Sequence, residues 1–168
     1  LDSFYDASRC KTLQQALSAA DRMIAEGADI LDIGAESSRP GSVPLSAQDE
    51  LKLLLPVVKE LVKIINIPIS VDTYKPEVAE QVLQAGASII NDITGLQRFP
   101  EMAKTISRFH AGAILMHMQG TPMTMQDNPQ YEDPLTEICE YLNESVSIAI
   151  SAGIDPNKIA VDPGIGFG

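Results

Sequence analysis

Apolar residues fall in two alternating patterns along the chain: short continuous runs, and longer stretches in which they recur every three or four positions. The runs cover residues 28–33, 67–71, 87–93, 113–118 and 158–161 and are rich in Ile, Val and Leu. Their length and composition predict strands buried on both faces. The stretches between them read as helices with defined ends. Thr12 with Gln15 makes a capping-box start for a helix running to Glu26. Ser46 can cap the next, whose Leu51, Leu54, Leu55, Val58 and Val62 form one apolar stripe. Pro76, Pro100 and Pro134 fall where a first helical turn would begin. Gly27, Gly86, Gly112 and Gly153 each close a helical stretch shortly before a run, where a left-handed cap turns the chain back to the sheet.

Strict alternation of this kind predicts an α/β fold with parallel strands and crossover helices. No internal repeat, low-complexity tract or linker interrupts it, so residues 1–168 read as one domain. The longest break, 119–133, holds Gly120, Pro122 and Pro129, and a loop of that length in a compact unit is often functional.

Composition narrows the function classes. Hydrophobic residues make up 45% of the 168 residues, enough for a core of single-domain size. The formal net charge of −11 argues against a nucleic-acid partner, which needs clustered Lys and Arg. No apolar stretch approaches the roughly 20 residues of a membrane span, and no signal-like segment opens the chain. Cys10 and Cys139 stand far apart without a CxxC-type partner and are expected to be reduced. Together these features predict a soluble cytoplasmic protein without nucleic-acid or membrane partners.

The candidate chemistry lies at the carboxyl ends of the predicted strands. These ends read Asp32-Ile33-Gly34-Ala35-Glu36, Asp72-Thr73, Asn91-Asp92, His117 and Asp162-Pro163-Gly164. In a parallel α/β fold they emerge on one face, where ligands bind. Asp72, Asn91 and Asp162 converging there could hold a flat ring through its N–H and carbonyl groups. Each alone could instead cap the following helix. Asp162 fits that role poorly, because Pro163 and a Gly-Ile-Gly-Phe-Gly loop follow it. Ser37-Ser38-Arg39-Pro40-Gly41 combines hydroxyls, a guanidinium and a glycine suited to phosphate or carboxylate oxygens, although a solvated turn has the same composition. Met116, Met118, Met123 and Met125 are expected mainly to fill core space. His117 is a general base or a hydrogen-bonded structural histidine, the second being favoured, and His110 reads as surface or packing. No zinc-site spacing and no Ser-His-Asp arrangement is present.

Taken in order, the segments resemble those of dihydropteroate synthases. Asp2-Ser3-Phe4-Tyr5-Asp6 is similar to the end of that family's first loop, and Gly34 to Gly41 to its second. Val71-Asp72-Thr73-Tyr74-Lys75, Ile90-Asn91-Asp92-Ile93, Leu115-Met116-His117-Met118 and Asp162 to Gly168 follow in register. The resemblance implies a (β/α)8 TIM barrel, with about strands 2–6 and their helices present here. It also implies a reaction: the amine of p-aminobenzoate displaces pyrophosphate from 6-hydroxymethyl-7,8-dihydropterin pyrophosphate, giving 7,8-dihydropteroate for folate synthesis. By the resemblance Asp72, Asn91 and Asp162 bind the pterin ring, while Ile93 and Met116 pack on its faces. Phe4, Ser38, Arg39, Pro40 and Phe167 help form the p-aminobenzoate and pyrophosphate pockets. Arg39, Asp72 and Asp162 are the implied catalytic residues. Asp2 and Asp6 lie near the pyrophosphate and its magnesium ion, whose main ligand, an Asn, falls outside the chain.

Departures from the family pattern add expectations. The family's first strand, the Lys after Gly-Phe-Gly and the later Arg and His all fall outside these residues. The chain is therefore expected to be a barrel domain truncated at both ends, inactive alone, from a homodimeric parent. Ala35 replaces a glycine and Ser38 a threonine, which keeps the hydroxyl and bears on how the p-aminobenzoate pocket closes. A methyltetrahydrofolate-dependent corrinoid methyltransferase is an alternative, but it has no pyrophosphate to release and no use for the Ser-Ser-Arg-Pro-Gly loop. A catalytically inactive pterin-binding barrel is another, decided by whether the Lys and Arg-x-His residues exist in the full chain.

Overall fold

The structure, a computed structural model, describes residues 10, 12–36 and 44–168. Among the described residues five strands alternate with five helices: α1 (Leu13–Ala25), β1 (Leu31–Gly34), α2 (Ala47–Ile64), β2 (Ile69–Asp72), α3 (Pro76–Gln84), β3 (Ile89–Asp92), α4 (Glu101–Arg108), β4 (Gly112–Met116), α5 (Pro134–Ser151) and β5 (Ile159–Asp162). A short 3-10 turn, Pro156–Lys158, leads into β5. Each strand overlaps one of the apolar runs. All pairings are parallel, and the sheet order β1-β2-β3-β4-β5 is the chain order.

That order separates a barrel-type sheet from a doubly wound one. Without a reversal of strand order, right-handed crossovers leave every helix on the same side. The burial agrees. Leu31, Ile33, Val71, Ile90 and Leu115 join Leu54, Val58, Leu61, Val78, Val82, Met102 and Ile106 in one core between sheet and helices. The residues alternating with them point to the opposite face. There Gly34, Asp72, Asn91, Ile114 and Ala160 form one row across all five strands. The fold is thus a five-stranded part of a parallel (β/α) barrel, and its inner face carries the polar residues.

The helix starts follow local chemistry. The Thr12 hydroxyl accepts from the Gln15 amide at 3.2 Å, and that of Ser46 from the Asp49 amide at 3.1 Å. Pro76 and Pro134 open α3 and α5, where a missing N–H costs nothing, while Pro100 sits one residue earlier, as the cap of α4.

Three expectations change. The buried side of α2 runs through Glu50, Leu54, Val57, Val58 and Leu61, whereas Val62 is 40% exposed. The stripe is rotated because Val57 and Leu61, and not Val62, meet the sheet. Gly112 belongs to β4 and caps nothing; a side chain there would press on the Lys158 carbonyl at 3.2 Å. The left-handed position ending α4 is taken by His110, at φ 53°, and the amides of His110 and Ala111 close the turn onto Ser107 and Ile106. The long break after β4 contains turns and no regular element. Its Met125 is buried, and the Gln119 side chain both donates to the Gln130 carbonyl (2.8 Å) and accepts from the Gln130 amide (3.0 Å). Cys10 and Cys139 are not joined by a disulfide. Among the described residues no helix is long and apolar enough to cross a membrane.

Candidate functional site

The parallel register sets Asp72 directly beside Asn91, with Gly34 on the other flank of Asp72. A side chain at 34 would meet the Asp72 Cβ and Oδ2 at 3.3 Å, so the glycine leaves that carboxyl room. The Asn91 amide nitrogen donates to Asp32 Oδ2, one layer deeper, at 3.2 Å. Burial pushes the Asp72 carboxyl well above its ordinary value of 3.8, and the nearby charges of Asp32, Glu50, Asp92 and Glu36 push it further. A group so placed gains from any ligand that brings N–H donors.

Asp92, next along β3, faces the helices and serves the backbone. It is 1% exposed and accepts from the Thr94 amide (2.8 Å), the Thr94 hydroxyl (2.7 Å) and the Leu96 amide (3.1 Å). These bonds hold the turn after β3, where Gly95 and Leu96 are left-handed. Burial raises its pKa, and those same hydrogen bonds oppose the rise.

One layer above the Asp72–Asn91 row, Met116 and Asp162 are register partners on β4 and β5. Ile93 and Met116 are buried with Tyr74, Met118 and Met125 in a second apolar cluster, against which Phe99 and Phe167 pack. Met116, Met118 and Met125 thus fill core space as expected, but Met123 is 54% exposed and does not. Asp162 is exposed and accepts from the Gly164 amide at 2.8 Å. That bond shapes a tight turn with Gly164 at φ 65°, pressed onto the His117 carbonyl. The Phe167 amide then donates to the Gly164 carbonyl at 2.8 Å, and the Gln119 amide to the Phe167 carbonyl at 3.3 Å.

His117, just past β4, is buried. Its backbone amide donates to the Asp162 carbonyl at 2.9 Å, and its ring meets Tyr141 edge-on, centroids 4.9 Å apart. The ring is 5% exposed and Nδ1 has no hydrogen-bond partner. Burial lowers its pKa and keeps it neutral.

A network absent from the sequence reading lies beside Asp72. Glu50 is 1% exposed, and its Oε2 and that of Glu36 both accept from Lys75 Nζ. Glu36 Oε2 also accepts from the Leu45 amide at 3.1 Å, and Oε1 from the Tyr74 hydroxyl at 2.7 Å. Burial opposes the Lys75 charge, but its bonds to Glu36 and Glu50 outweigh it and raise the pKa. Burial and the Glu36 bond take Tyr74 to about 12. The Tyr74 ring stacks on Phe99, centroids 6.3 Å apart, under the Arg98 guanidinium at 4.9 Å. Glu36, Glu50, Asp72, Thr73, Tyr74, Ile93 and Pro122 enclose a cavity of about 10 Å³, room for about one water. The signal for Glu50 was its place four residues before Leu54 on the buried stripe of α2.

Of the site residues read from the sequence, Asp72, Asn91, Ile93, Met116, Asp162 and Phe167 gather at the carboxyl end of the sheet. Asp2, Phe4, Asp6, Ser38, Arg39 and Pro40 lie outside the described residues. Among the described residues no group of three or more His, Cys, Asp or Glu is placed to hold a metal ion.

A sequential parallel sheet with helices on one side, and with Asp72 and Asn91 on its inner face, defines a barrel of the (β/α) class. A family model described as pterin binding enzyme matches residues 1–168. The dihydropteroate synthase of Bacillus subtilis (strain 168) is 43% identical over 166 residues, covering 99% of this chain and 56% of that relative. That of Synechocystis is 41% identical over 166 residues, covering 99% and 57%. A dihydropteroate synthase of Yersinia pestis, solved as a sulfonamide drug complex, superposes with a TM-score of 0.93 at 42% identity, covering 99% of this chain and 60% of that one. The Burkholderia cenocepacia enzyme, complexed with 7,8-dihydropteroate, gives 0.85 at 44% identity, covering 94% and 56%. This chain belongs to the pterin-binding enzyme family. It spans 56–60% of the length of these relatives.

Proposed function

We propose that this single barrel domain supplies the pterin-binding face of a dihydropteroate synthase. The observation that carries the reading is the pairing of Asp72 with Asn91 on adjacent strands, with Asp162 one layer above and Ile93 and Met116 beside them. Asp72 and Asp162 accept hydrogen bonds from the amino and ring N–H groups of the pterin. Asn91, held by Asp32, presents its remaining donor and its carbonyl. Ile93 and Met116 cover the ring faces and exclude water. The half-buried Asp72 carboxyl gains its best partners when the donor-rich ring arrives, which couples binding to its charge.

In the reaction the p-aminobenzoate nitrogen attacks the pterin methylene carbon. A carbon–nitrogen bond forms as the carbon–oxygen bond breaks, pyrophosphate leaves with the electron pair, and the amine loses a proton. The ring shares the positive charge that develops, so no protein nucleophile is required and catalysis is positioning and electrostatics. Arg39 neutralises the leaving group, and Phe4, Ser38, Pro40 and Phe167 shape the p-aminobenzoate pocket. A magnesium ion near Asp2 and Asp6 belongs to this reading and would supply further positive charge to the leaving pyrophosphate. The reading extends to a cytoplasmic, homodimeric parent.

The test is pyrophosphate release by the full-length parent given the pterin pyrophosphate, with and without p-aminobenzoate. Release should require p-aminobenzoate and collapse in D72A and D162A. Pterin binding without pyrophosphate release would defeat the proposal.

A further inference from the structure

Glu50 uses only one of its two oxygens. Oε2 accepts from Lys75 Nζ, while Oε1, on a side chain 1% exposed, has no hydrogen-bond partner among the described residues. A buried carboxylate oxygen without a donor is costly, and where there is room such an atom is met by an ordered water. The room is present. Glu50 lines the cavity of about 10 Å³ together with Asp72, Thr73 and Ile93, a space that takes about one water. Thr73 is 3% exposed, and its hydroxyl accepts from the Lys75 amide at 3.2 Å, which leaves the O–H to donate into the cavity. A water there has three polar neighbours, the usual number for a buried one.

Asp72 has the complementary need. Gly34 leaves its carboxyl room to turn, and among the described residues no group donates a hydrogen bond to it. Its partner in the row, Asn91, is held by Asp32 at 3.2 Å. We infer that the cavity holds a water that donates one hydrogen to Glu50 Oε1 and the other to the Asp72 carboxyl, which makes Glu50 a positioning residue for the ring-binding row. The inference rests on the proposed function, in which Asp72 binds the pterin. Lys75 acts one step further back: its ammonium, shared with Glu36, fixes the end of Glu50 that faces away from the water. A carboxyl oriented before the ring arrives loses less on binding than one that must be ordered then. Loss of the water should therefore weaken the pterin side of the reaction and spare the p-aminobenzoate side.

The experiment uses the full-length parent as wild type, E50Q, E50M and the milder T73V, which keeps the shape and deletes one donor. Gln and Met both remove the charge beside Asp72 at nearly constant side-chain length. Only Gln keeps a polar end: its carbonyl can accept from Lys75 while its amide donates to the water. A difference between E50Q and E50M therefore reads the water and not the charge. Crystals of the wild type and of E50Q without substrate should show a water within hydrogen-bond reach of residue 50 and of the Asp72 carboxyl. The KM for the pterin pyrophosphate should be about tenfold higher in E50M than in E50Q, while that for p-aminobenzoate stays within about twofold of wild type in both. T73V should raise the pterin KM by less, and it decides the kinetic arm if E50M does not fold. A wild-type cavity with no water reaching both carboxyls would overturn the inference, as would equal pterin KM values in E50Q and E50M or equal losses for both substrates. If the wild-type parent releases no pyrophosphate the proposed function fails, while the density in the cavity still judges the bridge.

Discussion

Gly164 and Gly166 allow a backbone effect to be separated from a steric one within a single turn. Both are left-handed, at φ 65° and 93°. A methyl at 164 would stand 2.0 Å from the His117 carbonyl oxygen, whereas one at 166 would meet nothing within 4 Å. Each Gly→Ala change incurs about 1–2 kcal/mol for placing an L-residue in that region. Only G164A adds the overlap, which a packed site relieves at about 1–3 kcal/mol. G166A should thus cost about 1–2 kcal/mol and G164A about 2–5 kcal/mol. Urea unfolding of the full-length variants measures this. Where the turn lifts off instead of unfolding the sheet, the loss appears as faster exchange at the Gln119 and Phe167 amides, which it holds. Equal behaviour of the two variants, globally and at those amides, would refute the steric argument and the seating of this turn on β4.

Other predictions concern charge and packing. In the folded state Asp72 holds its proton more tightly than in the unfolded chain, so its contribution to stability is full below pH 3.8 and is lost as pH rises through the folded pKa. D72N should therefore be more stable than wild type at neutral pH in thermal melts, with a flatter pH dependence, while ring binding measured by calorimetry weakens about 10–100-fold. His117 has the opposite sign: its lowered pKa means stability is present above pH 6.5 and falls as acid forces a proton onto the buried ring, so H117F should flatten that acid limb in pH-dependent urea titrations. D92A strands three donors in the turn after β3 and should cost about 3 kcal/mol by urea unfolding. L54A, at a side chain 0% exposed, should cost about 2–5 kcal/mol in the same assay.

The strands were legible because each is a run of Ile, Val and Leu whose composition serves two faces at once. The pairing of Asp72 with Asn91 was legible too, since a period of two puts both on one face once the strands are aligned. Less visible was anything that depends on how a helix is rotated. Leu51, Leu54, Leu55, Val58 and Val62 make a good stripe on paper, but the sheet selects Val57 and Leu61, and with them the carboxylate of Glu50. A glutamate reads as solvated until a lysine from another element is seen to meet it. His110 escaped notice as a cap because left-handed residues are expected to be glycine, and Gly112 stood two residues away to draw the assignment. Asn91 and Asp92 are neighbours of similar chemistry, and only the pleat of the strand decides which one joins the inner row and which ties a turn.

The sheet order has a consequence for how the site comes into being. Among the described residues each strand from β2 to β5 pairs with the one made just before it. A chain leaving the ribosome from its amino end can lay β2 on β1, then β3 on β2, as each emerges. Asp72 is then seated before Asn91 arrives, and Asn91 before Asp162. The pocket is assembled as a growing edge, and its polar residues are bound into hydrogen-bonded strands one at a time.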